Sequence, residues 1–145
     1  MTTERHPSGA VALTPAELTR LLRRQLRSGL RASRLLDCPE LIEFLCPEHD
    51  DPSRTLFDRA LAGEAKIAQA ANRIGGKQAE ALRVVCGLED GTVGLSLQQR
   101  RKLAGLVLGT RTRPVSAATF VKNYEPILMR DLAVEVWRTK APGAQ

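Results

Sequence analysis

The sequence predicts an all-α fold, a compact bundle of about six or seven helices with no sheet. Three observations carry this expectation. Aromatic residues make up only 3% of the chain, so the core must be built from Leu, Val, Ile and Ala, a set that packs as helices more readily than as strands. Apolar residues recur at spacings of three and four through most of the sequence. Capping residues and glycine stops bracket those periodic stretches. A length of 145 residues suits one domain with a sizeable core. A single domain over 14–138 is expected, with mobile tails at 1–13 and 139–145.

Thr14-Pro15-Ala16-Glu17 opens the first helix, because Thr14 can cap, Pro15 suits the first helical position and Glu17 completes a capping box. Leu18, Leu22, Leu26 and Leu30 follow helical spacing, and Leu21, Leu35 and Leu36 widen the apolar face, so this helix is expected to reach Asp37. Residues 37–51 change character, holding six acidic groups and no Lys or Arg. A short helix over Pro39–Leu45 ends near Pro47. Asp51-Pro52 reads as the cap and first turn of a helix running to Ile74, with Phe57, Ala60, Leu61, Ala68 and Ala71 inward and Gly75-Gly76 as its stop.

Lys77–Cys86 forms a further short helix with Ala79, Leu82 and Cys86 inward, followed by the turn-rich LEDGTVG. Ser96-Leu97-Gln98-Gln99 supplies a second capping box for a helix through Leu108, which Gly109 stops. After the TRTRPV loop, Ser116 caps a helix of about two turns to Tyr124. Pro126 then starts a last helix whose Leu128, Leu132 and Val136 make an apolar stripe beside Trp137.

The formal charge of +6 and the pI near 9.8 come from 17 Arg and five Lys against 16 acidic residues. Guanidinium groups bind phosphates and carboxylates bidentately, which points to nucleic acid or acidic protein surfaces; an arginine-favouring codon usage would give the same bias. Cys38, Cys46 and Cys86 are odd in number, no secretory signal is recognisable, and no apolar run approaches the roughly 18 residues of a membrane span. A cytoplasmic protein with reduced thiols and no membrane contact is expected.

Little in the chain supports catalysis. His6 lies in the expected tail, and His49 sits in PEHDD without a nucleophile beside it. Cys38, Cys46 and His49 are spaced C-x7-C-x2-H, whereas structural zinc takes four ligands with tightly spaced Cys pairs. No P-loop, GxGxxG, HExxH or GxSxG occurs. The expectation is a protein that is not an enzyme and takes no metal or cofactor.

Two basic features remain. Arg20, Arg24, Arg27, Arg31 and Arg34 form a stripe on the first helix, suited to an acidic protein partner or to phosphates. The segment LGTRTRPVSAATFVKN, with the helix before it, has the small Gly105, apolar Leu108 and stop Gly109 of a helix-turn-helix. There Arg100, Arg101, Arg111, Arg113, Thr119, Lys122 and Asn123 are the candidate nucleic-acid contacts. Thr110–Val115 is too long for a tight turn, and Phe120 and Val121 call for burial, so a helical hairpin with a basic loop is favoured over a DNA reader.

Leu35-Leu36-Asp37 with Pro39, Gly87-Leu88, Leu97 with Arg100-Arg101, Leu103-Ala104, Ser116 with Thr119-Phe120, Glu125, Leu128 and Leu132-Ala133 occur in an order that resembles a small all-helical domain common in actinobacterial proteins. The likeness spans residues 20–138 and implies a regulatory or recruitment module. The chain departs from that pattern in the TRTRP insertion and in Val121-Lys122, where family members often carry Arg. The expected function is a helical adaptor that takes an acidic partner on the basic face of its first helix. A nucleic-acid-binding regulator using residues 97–124, or a helical subunit of a nucleoprotein complex, is the alternative.

Overall fold

Eight α-helical segments, numbered here in chain order, account for most of the computed structural model, which describes residues 12–140. The expectations for tails at 1–11 and 141–145 lie outside the described residues. Helix α1 (Pro15–Gln25) starts at the expected box: Glu17 N–H donates to Thr14 Oγ1 at 3.1 Å, and Thr14 N–H donates to the Glu17 carboxylate at 2.9 Å. It stops well before Asp37. Gly29 adopts φ +98°, in the left-handed region that a side chain disfavours, and its N–H returns to Gln25 O and Leu26 O at 3.0 and 3.1 Å. The chain restarts as α2 (Ala32–Leu35), with Arg31 at its N-cap. The leucine periodicity runs through the break because Leu18, Leu22, Leu26 and Leu30 all reach the same core, each no more than 1% exposed.

Helix α3 (Pro39–Leu45) falls on the expected residues and buries Leu41, Ile42, Phe44 and Leu45. The next helix, α4 (Leu56–Ile74), begins later than Asp51-Pro52, at a capping box of Thr55 and Asp58. Asp51 instead accepts from Ser53 Oγ at 2.6 Å and Ser53 N–H at 3.2 Å, closing a local turn. Phe57 and Leu61, expected inward, are 45% and 46% exposed. The inward face of α4 is the one carrying Ala60, Gly63, Ile67, Ala70 and Ala71, because small residues allow the closest approach. A Cβ on Gly63 would stand 3.1 Å from Leu45 Cδ1.

Gly75 turns the chain into α5 (Gly76–Val85), and the Ser96–Gln99 box opens α6 (Leu97–Leu108) as expected. Ser116 caps α7 (Ala117–Thr119), which passes through a π turn (Phe120–Tyr124) directly into α8 (Glu125–Lys140). No break precedes Pro126. Glu125 N–H donates to Phe120 O, five residues back, and this wider turn lets the helix continue past a residue that has no N–H to donate. Thr139 and Lys140, expected in the tail, continue α8.

Helix α8 packs against α1, α4 and α5, while α5 lies along α6 and α4 supports α2 and α3. The buried side chains form one contiguous cluster centred on Leu, Ile, Ala and Val, as the composition requires. Trp137 is half-buried, and its Nε1–H donates to Leu13 O at 2.9 Å, tying the last turn of α8 to the residue before the Thr14 cap of α1. Among the described residues there is no strand, and no helix is long and apolar enough to cross a membrane.

Candidate functional site

The arginines of this chain divide into those held by the fold and those left free. Arg59 donates to Cys46 O at 2.9 Å and pairs with Glu43; Arg73 pairs with Glu135 at 3.3 Å and Arg83 with Glu89 at 2.6 Å. Arg31, from the expected basic stripe, belongs to this group. Its Nε donates to Gly87 O at 2.9 Å and its NH2 group reaches Leu88 O and Asp90 at 3.3 and 3.1 Å, which fastens the start of α2 to the segment after α5. A side chain held this way is not available to a partner.

Arg100 is the clearest correction among the candidate nucleic-acid contacts. It is 2% exposed, and its guanidinium points inward to main-chain carbonyls at the ends of two helices. NH2 donates to Leu26 O and Arg27 O at 3.0 and 2.9 Å, NH1 donates to Val85 O, and Nε reaches Leu95 O at 3.4 Å. Helix ends leave carbonyls without intrahelical partners, and one planar cation satisfies those of α1 and α5 together. Burial lowers its pKa from the usual guanidinium value.

Arg101 is also withdrawn from any ligand. Its Nε and NH2 donate to the two Glu125 oxygens at 2.8 and 2.7 Å, a fork-to-fork pair whose carboxylate side chain is 2% exposed. The hydrogen bond to Glu125 raises the Arg101 pKa further. The π turn ends at Glu125, so the α7–α8 helix is anchored to α6 through this pair.

What remains is concentrated on α1 and the chain after it. Arg20, Arg23, Arg27 and Arg34 are exposed and have no carboxylate within 4.0 Å among the described residues; Arg24 has only Glu40, at 3.9 Å with both side chains largely solvated. The break at Gly29 distributes them: Arg20, Arg23 and Arg24 on α1, Arg27 on the link and Arg34 on α2. Arg23 lies outside the sequence stripe, yet it stands three positions after Arg20 and four before Arg27 and so shares their helical spacing. Arg20, Arg23 and Arg24 line an open depression of about 540 Å³ with Leu13 and Leu21, beside Glu17 and Glu40.

The second basic feature lies at the far end of α6. The TRTRP segment forms a small excursion whose two feet touch: a Cβ on Gly109 would stand 2.7 Å from Val115 N. Thr110 N–H donates to Arg113 O at 2.9 Å, and Arg113 N–H donates back to Thr110 Oγ1 at 2.9 Å. Gly105 lies against the returning chain so closely that a Cβ there would meet Val115 O at 2.3 Å. Arg111, Arg113, Thr119, Lys122 and Asn123 are exposed, while Phe120 is fully buried. The Thr119 hydroxyl is paired with Ser116 Oγ at 3.1 Å.

The reactive side chains lie elsewhere. Cys38, Cys46 and Cys86 are buried free thiols, and burial pushes Cys86 up to about 12. His49 is exposed beside Asp50 at 3.2 Å. Among the described residues no three His, Cys, Asp or Glu side chains converge as a metal site. No protein-family model, no curated protein and no solved structure shows a significant match to the chain.

Proposed function

We propose that this chain is a helical binding module without catalytic chemistry, which takes an acidic partner on the basic face formed by Arg20, Arg23, Arg24, Arg27 and Arg34. One observation supports it above the others. The fold gives carboxylate or carbonyl partners to most of its interior-facing arginines, yet leaves these five solvated and close together along one stretch of chain. Unpaired like charges repel and weaken the folded state slightly, so an opposing acidic surface relieves them on binding. Leu13 and Leu21 beside Arg20, Arg23 and Arg24 add apolar area that excludes water from such contacts.

Charge reversal tests this reading. With poly-L-glutamate as the probe, R20E/R23E/R24E is expected to lose binding, while K77E, at an exposed lysine on α5, leaves it nearly intact. Equal weakening by both would reduce the effect to net charge and refute a defined face.

A second reading, nucleic-acid binding through α6–α8, is supported by the touching feet of the TRTRP excursion, which bring Gly109 and Val115 together as a short turn would. Arg111, Arg113, Lys122 and Asn123 are then the contacts, without Arg100 or Arg101. Binding of random-sequence duplex DNA at low salt, abolished by R111E/R113E and unaffected by R20E/R23E/R24E, favours this reading.

A further inference from the structure

Two arginines of the basic face, Arg27 and Arg34, also line a second, more enclosed feature. The link through Gly29 that follows α1, together with α2, the segment after α5 and the first turn of α6, lines a cleft of about 350 Å³, the small end of the size range of ligand sites. Four arginines, Arg27, Arg31, Arg34 and Arg100, are among its lining residues, and no Asp or Glu is. Asp90 reaches Arg31 from outside the lining, with its own side chain fully solvated.

The four are graded by depth. Arg100 is buried and fixed by carbonyls of three separate segments; Arg31 is half-buried and fixed by Gly87 O and Leu88 O. Arg27 and Arg34 are exposed and make no side-chain hydrogen bond or ion pair among the described residues. The hydroxyls of Ser28 and Ser33, also in the lining, have no hydrogen-bond partner among the described residues. Carbonyl dipoles hold Arg100 in place and leave its net charge uncancelled, while the charge of Arg31 is offset in part by the solvated Asp90 carboxylate at 3.1 Å. A concave site with a low-dielectric wall focuses that charge toward its opening.

We propose that this cleft is a phosphoryl-binding site, taking a dianionic phosphate ester between Arg27, Arg34 and the hydroxyls of Ser28 and Ser33, over the fixed charge of Arg31 and Arg100. A phosphoryl group suits the donor set better than a carboxylate. It carries up to two charges and three terminal oxygens, enough acceptors for two free guanidinium forks and two hydroxyls. The remaining volume holds the part of the ligand bearing the ester. This inference rests on the proposed basic face, since Arg27 and Arg34 belong to both.

Titration calorimetry with inorganic phosphate, at ionic strength held constant with sodium chloride, tests it. Saturable binding is expected, weakening as the pH falls through the range where the dianion of inorganic phosphate takes a proton and loses one of its two charges. R27Q/R34Q is expected to lose at least about tenfold in affinity, with unchanged circular dichroism, while R20Q/R24Q keeps it. A phosphoserine peptide and a nucleoside monophosphate identify the carrier: tighter binding of either than of inorganic phosphate supports the site. No saturable binding of any phosphate probe, or equal binding by R27Q/R34Q, overturns it. If phosphate binding fails while poly-L-glutamate is still captured through Arg20, Arg23 and Arg24, only the phosphoryl site falls. If phosphate binds and poly-L-glutamate does not, only the acidic-partner reading falls.

Discussion

Replacing Arg100 by Ala is expected to destabilise the fold by about 3 kcal/mol, and the figure follows from which acceptors the side chain leaves behind. Leu26 O retains the Gly29 N–H at 3.1 Å, so it stays satisfied. Arg27 O and Val85 O have no other donor among the described residues, and Leu95 O sits at the weak distance of 3.4 Å. Two carbonyls are therefore orphaned, at about 1–3 kcal/mol each, or about 2–6 kcal/mol together. Water entering from the adjoining cleft restores part of this, which places the expectation in the lower half of the range. Arg100→Lys keeps the charge but loses the planar fork that spans two helix ends, so it recovers only part of the stability. In urea, with a slope of about 1–3 kcal/mol per molar, the midpoint of Arg100→Ala falls by roughly 1–3 M. A loss below about 0.5 kcal/mol refutes the structural role. Retained stability with lost DNA binding would return Arg100 to the nucleic-acid contacts.

Three further outcomes follow from the same geometry. Gly105→Ala places a Cβ 2.3 Å from Val115 O, so the α6 and α7 backbones must separate and the urea midpoint drops by the equivalent of about 1–3 kcal/mol; an unchanged midpoint contradicts the close approach. Deleting residues 110–114 joins Gly109 to Val115, whose backbones already touch, and is expected to cost less than about 1 kcal/mol; failure of the shortened chain to fold would show that the excursion is needed for packing. Cys86 is neutral in the fold with its pKa pushed up to about 12. Its contribution is fully present below the ordinary thiol range and falls as pH rises from there toward 12, because the unfolded thiol ionises first. The alkaline loss of stability should be shallower in Cys86→Ala, and a thiol-specific reagent should label native Cys86 only on unfolding. Rapid native labelling contradicts the burial.

Local signals in the sequence locate the helices well. The caps at Thr14, Ser96 and Ser116 each close a hydrogen bond three residues on, so a four-residue window contains all the physics. Gly29 is harder to recognise as a stop. Leu22, Leu26 and Leu30 keep helical spacing across it, and only the Cys86 carbonyl, far along the chain, shows why the turn forms there. Pro126 misleads in the opposite direction, since its break is absorbed by a π turn that no local rule anticipates. The α4 face turns on packing: Phe57 and Leu61 have the right spacing, but the close contact with Leu45 selects the Gly63 side. Arg100 and Arg101 are least legible of all. In sequence they form an ordinary basic pair early in an apolar helix, while, apart from Leu95 O, their acceptors lie 15 to 74 residues away.

The basic face is tested most directly by a nuclear magnetic resonance titration of the full chain with poly-L-glutamate, following backbone amides and arginine Nε–H signals together. Saturable shifts should appear at Arg20, Arg23, Arg24, Arg27 and Arg34 and fade with added salt, while Arg100 and Arg101, held by carbonyls and by Glu125, stay still. Shifts centred instead on Arg111, Arg113, Lys122 and Asn123, with the α1 arginines unmoved, would contradict it.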